Sequence, residues 1–456
     1  MIYPQNVTGK YRSIKNYSSL ALLLLYFLCS WIRWPRGAGE PDQALLMDLV
    51  NRRVYIFNIE IWPDELYYLT GLLILAALGL FFVTSLFGRV WCGYTCPHTV
   101  FVDLFNKVEA FFQGDRNARI KLDSEPMTQD KFIKKMATHL SWVSIAFAFA
   151  FGWVCYFYDA PSLVLDLWNG KITSGGLAWL SGLTLSTYLF AGFVRDKVCV
   201  YMCPYGRFQS AMLDNDTTIV TYHDWRGEPR GKRDANSKSG DCIDCGRCVF
   251  VCPMGIDIRN GLQISCIGCG LCVDACNSVM DKLGRPLNLI GYDSINSSAD
   301  KMNGVPHAKK LLHPKTLLFG GLFVLVMFLL FYALSNKQEV KIASIHDRNV
   351  MFTFLPDGSV RNSYILKIAN RTLQKQQIAL LVVGIEGATL KLQGFEQDYD
   401  TEHKLTLDPD QEIELIAFVK ATKEMLKSSK NPISFQVRSD YYDKVFITNS
   451  VFIKEQ

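Results

Sequence analysis

The sequence predicts a multi-domain membrane protein in three parts: a bundle of five transmembrane helices, a cysteine-rich insert before the fifth helix, and a C-terminal all-β sandwich. Three observations carry that prediction. Five apolar runs are long enough to cross a bilayer, eight of the 14 cysteines crowd between Cys242 and Cys276, and short alternating runs begin after residue 337. Apolar residues make up 49% of the chain and charged ones only 20%, which excludes disorder, collagen and coiled coil. A dinucleotide GxGxxG, a phosphate-binding loop, an HExxH and any nucleic-acid-binding motif are all missing from the sequence, and a net charge of +5 defines no partner. The expected boundaries are 1–214 for the leader and four spans, 215–314 for the insert, 315–336 for the fifth span and 337–456 for the β-domain.

The spans are Asn16–Ile32, Leu66–Phe87, Leu140–Tyr158, Ile172–Val194 and Leu317–Leu334, each near the roughly 20 residues a helical crossing needs. The first is read as a retained span rather than a cleaved signal peptide, because its leader is long and no A-x-A site follows Ile32. Lys and Arg set the orientation. The leader carries Lys10, Arg12 and Lys15, and loop 89–137 carries eight basic residues; segment 35–64 has three against five acids, and loop 159–171 has only Lys171. The expectation is a bacterial inner-membrane protein with its N-terminus and insert cytoplasmic and its C-terminal domain periplasmic. Trp31, Trp34, Trp62, Tyr67 and Tyr68 fit an outer aromatic belt.

Cysteine pairs follow the second and fourth spans, as Cys92-Gly-Tyr-Thr-Cys96-Pro97 and Cys199-Val-Tyr-Met-Cys203-Pro204, both within a CxYxCPxxxF pattern. The duplication implies a parallel repeat of helical hairpins. Both motifs then lie at the cytoplasmic face, where four thiolates at one place would bind a soft ion such as Cu(I) or a third iron–sulfur cluster. The proline disfavours the α conformation at Cys96 and Cys203, so each pair ends its helix. His98 is a further candidate ligand. Cys29 and Cys155, near the outer ends of their spans, are read as small hydrophobes, with an outer metal-handling pair as the alternative.

The insert carries Cys242, Cys245, Cys248 and Cys252-Pro, then Cys266, Cys269, Cys272 and Cys276 without the proline. This is the CxxCxxCxxxC(P) run of a bacterial two-cluster ferredoxin, in which the fourth cysteine of each run serves the other cluster. Two 4Fe–4S clusters are expected, one on Cys242, Cys245, Cys248 and Cys276, the other on Cys252, Cys266, Cys269 and Cys272. A structural zinc site needs only four cysteines. In the last 120 residues the runs Val350–Phe354, Tyr364–Ile368, Ile378–Val383, Ile413–Val419, Ile433–Val437 and Val445–Ile453 are separated by turns such as Pro356-Asp357-Gly358 and Asp408-Pro409-Asp410. Six or seven strands predict an immunoglobulin-like sandwich without a disulfide.

Two CxxxCP motifs at span ends followed by the paired cysteine runs resemble the polyferredoxin membrane proteins of the NapH and NosR kind. The fifth span, the outer β-domain and Arg226-Gly-Glu-Pro-Arg-Gly231 narrow the resemblance to the CcoG/FixG/RdxA family of cytochrome c oxidase accessory proteins; Asn277, in place of a proline, is a departure that removes no ligand. The resemblance implies reduction of Cu(II) to Cu(I) for copper delivery in assembly of a cbb-type oxidase, with Cys92, Cys96, Cys199 and Cys203 as the reactive thiols. The partners it implies are copper ions, oxidase subunits or copper-handling assembly factors, and a cytoplasmic electron donor. Two other readings compete: an electron-transfer subunit linking quinol or a cytoplasmic donor to a periplasmic reductase, and an assembly scaffold with structural clusters. The apolar cores hold no Asp or Glu, which weighs against quinone chemistry.

Overall fold

The computed structural model describes residues 2–36, 40–231, 239–305, 314–347, 351–372, 374–395, 399–409, 411–439 and 444–454. The chain divides into two compact units, the first reaching Phe331 and the second beginning at Tyr332 and including Arg36.

In the first unit, α1 (Lys10–Cys29) leads into a small antiparallel sheet of β1 (Leu45–Asp48), β2 (Arg53–Ile56) and β3 (Ile59–Ile61). Next come α2 (Tyr67–Phe87), α3 (Pro97–Gln113), α4 (Arg116–Ser124), α5 (Gln129–Val154), α6 (Ala160–Trp168), α7 (Ser174–Leu189) and α8 (Pro204–Met212). Among the described residues, four segments, 63–87, 129–154, 174–194 and 314–335, are long and apolar enough to cross a membrane. The last is α13, numbered after the short insert helices below, and it packs on α2 through Phe319 against Phe81 and Phe323 against Phe82. Most of its other leucines and phenylalanines face outward, with Leu317, Phe328 and Phe331 each more than half exposed, while Leu330 packs at Gly71 of α2, the inside-out pattern that a lipid surround satisfies. The first predicted span is α1, but this helix begins at Lys10 and ends at Cys29, so its apolar part is only Leu20–Cys29. Its first turn is polar because it is occupied elsewhere: the backbone N–H groups of Tyr11 and Arg12 donate to Asp274, at 3.2 and 2.8 Å.

The insert is built from β4 (Ile219–Tyr222), α9 (Asp224–Gly227), α10 (Arg247–Phe250), α11 (Leu271–Lys282), β5 (Ile290–Asp293) and α12 (Ile295–Met302), followed by α13 (Pro314–Ser335). Strands β4 and β5 pair antiparallel, Ile219 with Asp293 and Tyr222 with Ile290, and so close the insert upon itself. Asp293 pins this closure by accepting from Lys301 (2.5 Å) and His223 (3.1 Å).

The second unit is a two-sheet sandwich of β6 (Val340–His346), β7 (Thr353–Phe354), β8 (Val360–Asn370), β9 (Gln376–Val383), β10 (Thr389–Leu392), β11 (Glu402–Leu407), β12 (Glu412–Ala421), β13 (Lys430–Ser439) and β14 (Val445–Ile453). One sheet has the order β10-β12-β8-β6 with β7 beside β8, the other β11-β9-β13-β14. Alternation places Tyr364, Leu366 and Ile368 of β8 against Phe435 and Val437 of β13 in one dry core. Five of the six predicted runs fall on strands, and the run Val350–Phe354 is strand only at Thr353–Phe354; Val350 and Asp410 lie outside the described residues. The expected six or seven strands become nine among the described residues because β6, β10 and β11 also pair.

Candidate functional site

The two cysteine runs fold by one rule. Gly246 and Gly270, each directly after the second cysteine of its run, take left-handed φ values of +69° and +70° and open α10 and α11. That conformation is strained for other residues. It turns the chain so that Cys248 rides on α10, and Cys272 and Cys276 on α11. Two cavities of about 370 Å³ result. Cys242, Cys245, Cys248 and Cys276 line one together with Tyr222 and Met280. Cys252, Cys266, Cys269 and Cys272 line the other, with Cys248 at their boundary and Ile256, Ile258 and Ile267 as walls. Among the described residues no three His, Cys, Asp or Glu side chains stand close enough to hold a single ion. Four thiols around a cavity, too spread for one ion, are the donor set of a multi-iron cluster, so the residues present fit such a group. Burial pushes the Cys248 thiol up to about 11 and those of Cys252 and Cys276 up to about 12; a metal reverses that preference by binding the thiolate.

The membrane-edge motifs also share a rule. In each, a left-handed residue, Gly88 (φ +61°) or Arg195 (φ +40°), precedes one π-helical turn, Trp91–Thr95 or Val198–Met202. Cys96 and Cys203 then leave helical geometry, at ψ 123° and 111°, and Pro97 and Pro204 start α3 and α8. Each pair therefore ends its helix as the proline demands. Arg195 cannot adopt this backbone freely; its guanidinium is fixed by Glu109 (2.5 Å) and the Gly192 carbonyl (2.7 Å), and Glu109 also accepts from Arg119 (3.0 Å).

The four thiols lie in one region, although among the described residues no three of them stand close enough to hold a single ion. Cys199 feels the charges of Cys92, Cys96 and Cys203, and burial first, then these neighbours, push it up to about 12. Burial likewise pushes Cys92 up to about 11, while its Sγ lies 3.4 Å from Gln209 Oε1 as a donor. Cys92 and Cys199 pack in the same apolar cluster as Cys252, Cys269 and Cys272. The closeness depends on Gly93, where a Cβ would stand 2.9 Å from both Cys269 Cα and the Ile267 carbonyl. Tyr94 secures it by donating to the Cys269 carbonyl (2.9 Å). Its counterpart Tyr201 is exposed, so the repeat in sequence is not a repeat in contact: only the first motif's tyrosine reaches the second cysteine run.

His98 lines a cavity of about 330 Å³ beside Cys199. Its Nε2 donates to the Arg195 carbonyl (2.8 Å), and burial lowers its pKa, so the ring is neutral with Nδ1 as its remaining lone pair. Cys29 and Cys155 both lie within electrostatic reach of Tyr156, and the Cys155 carbonyl accepts from Gln43 (2.7 Å). Sequence reasoning missed Arg89, Gly93, Tyr94 and Tyr292, whose hydroxyl donates to the Gly268 carbonyl (2.6 Å) beside that of Tyr94 (3.2 Å), as parts of the site. The signal for three of them was present in the residues flanking the first cysteine pair.

Paired cysteine runs, a thiol group packed against one of them and apolar helices on the same unit define an iron–sulfur electron-transfer protein of multi-pass membrane type. Comparison with known proteins agrees. The 4Fe-4S dicluster domain profile matches residues 194–295, a 4Fe-4S binding domain profile matches 69–119, and the profile of the IG-like fold at the C-terminal of FixG matches 330–455. The nitrogen fixation protein FixG of Rhizobium meliloti is 42% identical, over 92% of this chain and 86% of its own. Protein RdxA of Cereibacter sphaeroides is 44% identical, over 86% of this chain and 84% of its own. A FixG-related protein from Vibrio parahaemolyticus, known from a crystal structure, aligns over 26% of this chain and 100% of its own, at 24% identity and a TM-score of 0.23. The chain belongs to the FixG/RdxA family.

Proposed function

We propose that this protein takes single electrons from a cytoplasmic donor and reduces Cu(II) to Cu(I), supplying copper during assembly of a cbb-type cytochrome c oxidase. Cys242, Cys245, Cys248 and Cys276 hold one 4Fe–4S cluster and Cys252, Cys266, Cys269 and Cys272 the other, an assignment supported by the linings of the two cavities. When bound, such clusters store and release single electrons. Cys92, Cys96, Cys199 and Cys203 receive the copper substrate. The observation that carries this reading is the packing of Cys92 and Cys199 in one cluster with Cys252, Cys269 and Cys272, which leaves no protein layer between cassette and thiols. Thiolates prefer Cu(I) to Cu(II), so binding itself favours the one-electron step. His98, with Nδ1 unspent, is an auxiliary ligand.

In this reading α1 is the first of five spans, the insert faces the cytoplasm of a bacterial inner membrane and the β-sandwich faces the periplasm, where it docks oxidase subunits or assembly factors. The Lys and Arg distribution supports the orientation. A second reading gives the four membrane-edge thiols a resident cluster, with copper reduced beside it. It is favoured by thiols too spread for one ion and by the 4Fe-4S binding domain profile spanning Cys92 and Cys96.

The test is anaerobic: the full-length protein is reduced with dithionite, freed of excess, and mixed with Cu(II) in the presence of a Cu(I) chelator. The cassette should reoxidise as Cu(I) appears, one electron per ion, and a C92S/C199S variant should keep cassette iron while losing the reaction. Reduced clusters that ignore Cu(II), or a double variant as active as the parent, would leave the electron-carrier or scaffold reading in its place.

A further inference from the structure

Arg89 stands three residues before Cys92, and its side chain is only 7% exposed. One terminal nitrogen, Nη1, donates to the carbonyls of Ile264 and of Cys266 (3.0 Å), and the other donates to the Gly206 carbonyl (3.2 Å). Nε has no acceptor. Among the described residues, no Asp or Glu pairs with this guanidinium, although buried arginines elsewhere in the unit are paired: Arg119 and Arg195 share Glu109. Backbone carbonyls satisfy hydrogen bonds but bring no net charge. A buried cation without a counter-ion is among the costliest arrangements a protein can hold.

The surroundings identify the missing counter-charge. Cys266 lines the second cavity, Gly206 is in the first turn after Cys203, and Cys92 belongs to the membrane-edge thiols. Arg89 thus touches the second cysteine run and α8 from within the first motif, and its charge acts on the Cys92 and Cys266 thiols together. The corresponding position in the second motif, three residues before Cys199, is Asp196. Cys92 thus feels the cation Arg89, whereas Cys199 feels Asp196, the least of its influences. Among the described residues, the first cavity has no such buried charge. Its Arg259 is neutralised by Asp257 (2.7 Å) and Asp244, and its Arg247 is partly exposed, where water screens it.

We infer that Arg89 is the residue that sets electron direction: its buried charge favours the reduced state of the centre beside Cys266 over that of the centre in the first cavity. The inference rests on the proposed cluster assignment. A centre ligated by thiolates gains one negative charge on reduction, and net charge is one of the levers on its potential. A fixed cation close by stabilises the reduced form more than the oxidised one, and in a poorly solvated site the preference is large. Electrons supplied by the cytoplasmic donor then run downhill from the first cavity to the second, toward Cys92 and the copper ion that accepts them.

The test is a redox titration of the full-length protein under anaerobic conditions, followed by electron paramagnetic resonance, for the parent, R89Q and R89K. In R89Q the reduction equilibrium of one centre should fall at least about tenfold, which is 59 mV for a one-electron couple, while the other stays put. R89K, which keeps the charge but not the fork, should restore most of it. Full iron content with neither midpoint moved in R89Q overturns the inference. So does a tenfold fall in R89K, which also decides the matter should R89Q fail to retain iron. A parent protein without iron would instead refute the cluster assignment beneath it.

Discussion

Replacing Gly93 by alanine tests the junction between the membrane-edge motif and the second cysteine run. The added methyl would stand 2.9 Å from Cys269 Cα, 2.9 Å from the Ile267 carbonyl and 3.1 Å from the Cys269 nitrogen. All three are backbone atoms of the loop between Cys266 and Cys272, so no side chain can rotate away. Relief requires the motif and the loop to part by about half an ångström, a strain of about 1–3 kcal/mol. The same movement stretches the Tyr94 hydrogen bond to the Cys269 carbonyl, worth about 1 kcal/mol. The sum, about 2–4 kcal/mol, falls on the docking of the two parts and spares the first cavity. G93A protein should bind the parent's complement of iron, lose its clusters at a lower temperature, and pass electrons to Cu(II) more slowly. The assay is stopped-flow reoxidation of the dithionite-reduced protein, with thermal bleaching of the cluster absorbance run alongside. Parent-like kinetics and bleaching together would refute the claim that Gly93 is there to admit the loop.

Other outcomes follow from the same geometry. Cys276→Ser should damage the centre in the cavity of Cys242, Cys245 and Cys248 and leave the second centre's spectrum; Cys252→Ser should do the reverse, and the opposite pattern would break the crossed assignment. Burial opposes ionisation of Asp293, but hydrogen bonds from Lys301, Ser297 and His223 outweigh it and hold its pKa down at about 2. A depressed carboxylate stabilises above its unfolded value near pH 4 and loses that contribution as pH falls through about 2. D293N should therefore weaken the β4–β5 closure by about 1 kcal/mol at neutral pH, once solvent screening is allowed for, and flatten the acid limb of apo-protein unfolding between pH 4 and 2. A C-terminal reporter active only in the periplasm should function when fused after Gln456, and one active only in the cytoplasm should not; the reverse result inverts the orientation.

The parts legible in the sequence are those governed by local rules. Cysteine spacing, the Cys-Pro ends of two helices and the alternation along β8, β12 and β13 each depend on residues within a turn or a strand of one another. The parts that were not legible depend on distant partners. The start of α1 is fixed by Asp274, more than 260 positions away. Strands β1–β3 are only three or four residues each, too short for alternation to announce them. The likeness of the two CxYxCP motifs also hid a difference: Tyr94 is buried against the second cysteine run and Tyr201 is exposed. Identical spacing fixed where the thiols lie, whereas Arg89 and Asp196, three residues before Cys92 and Cys199, differ in charge.

The leader has a consequence for how the protein is made. Gln5 donates to the Phe250 carbonyl (2.8 Å), Ile2 packs at Gly255, and Asp274 caps the first turn of α1. The leader is thus completed by residues from the middle of the insert, which are made much later. Until the ribosome has passed Asp274, the start of α1 has no partner for its N–H groups, and the long intervening chain must close a costly loop to supply one. The leader can therefore fasten only once the insert has been made as far as Asp274. An affinity tag joined directly before Ile2 would be carried to Gly255, just past the end of the first cysteine run, and would burden this fastening step.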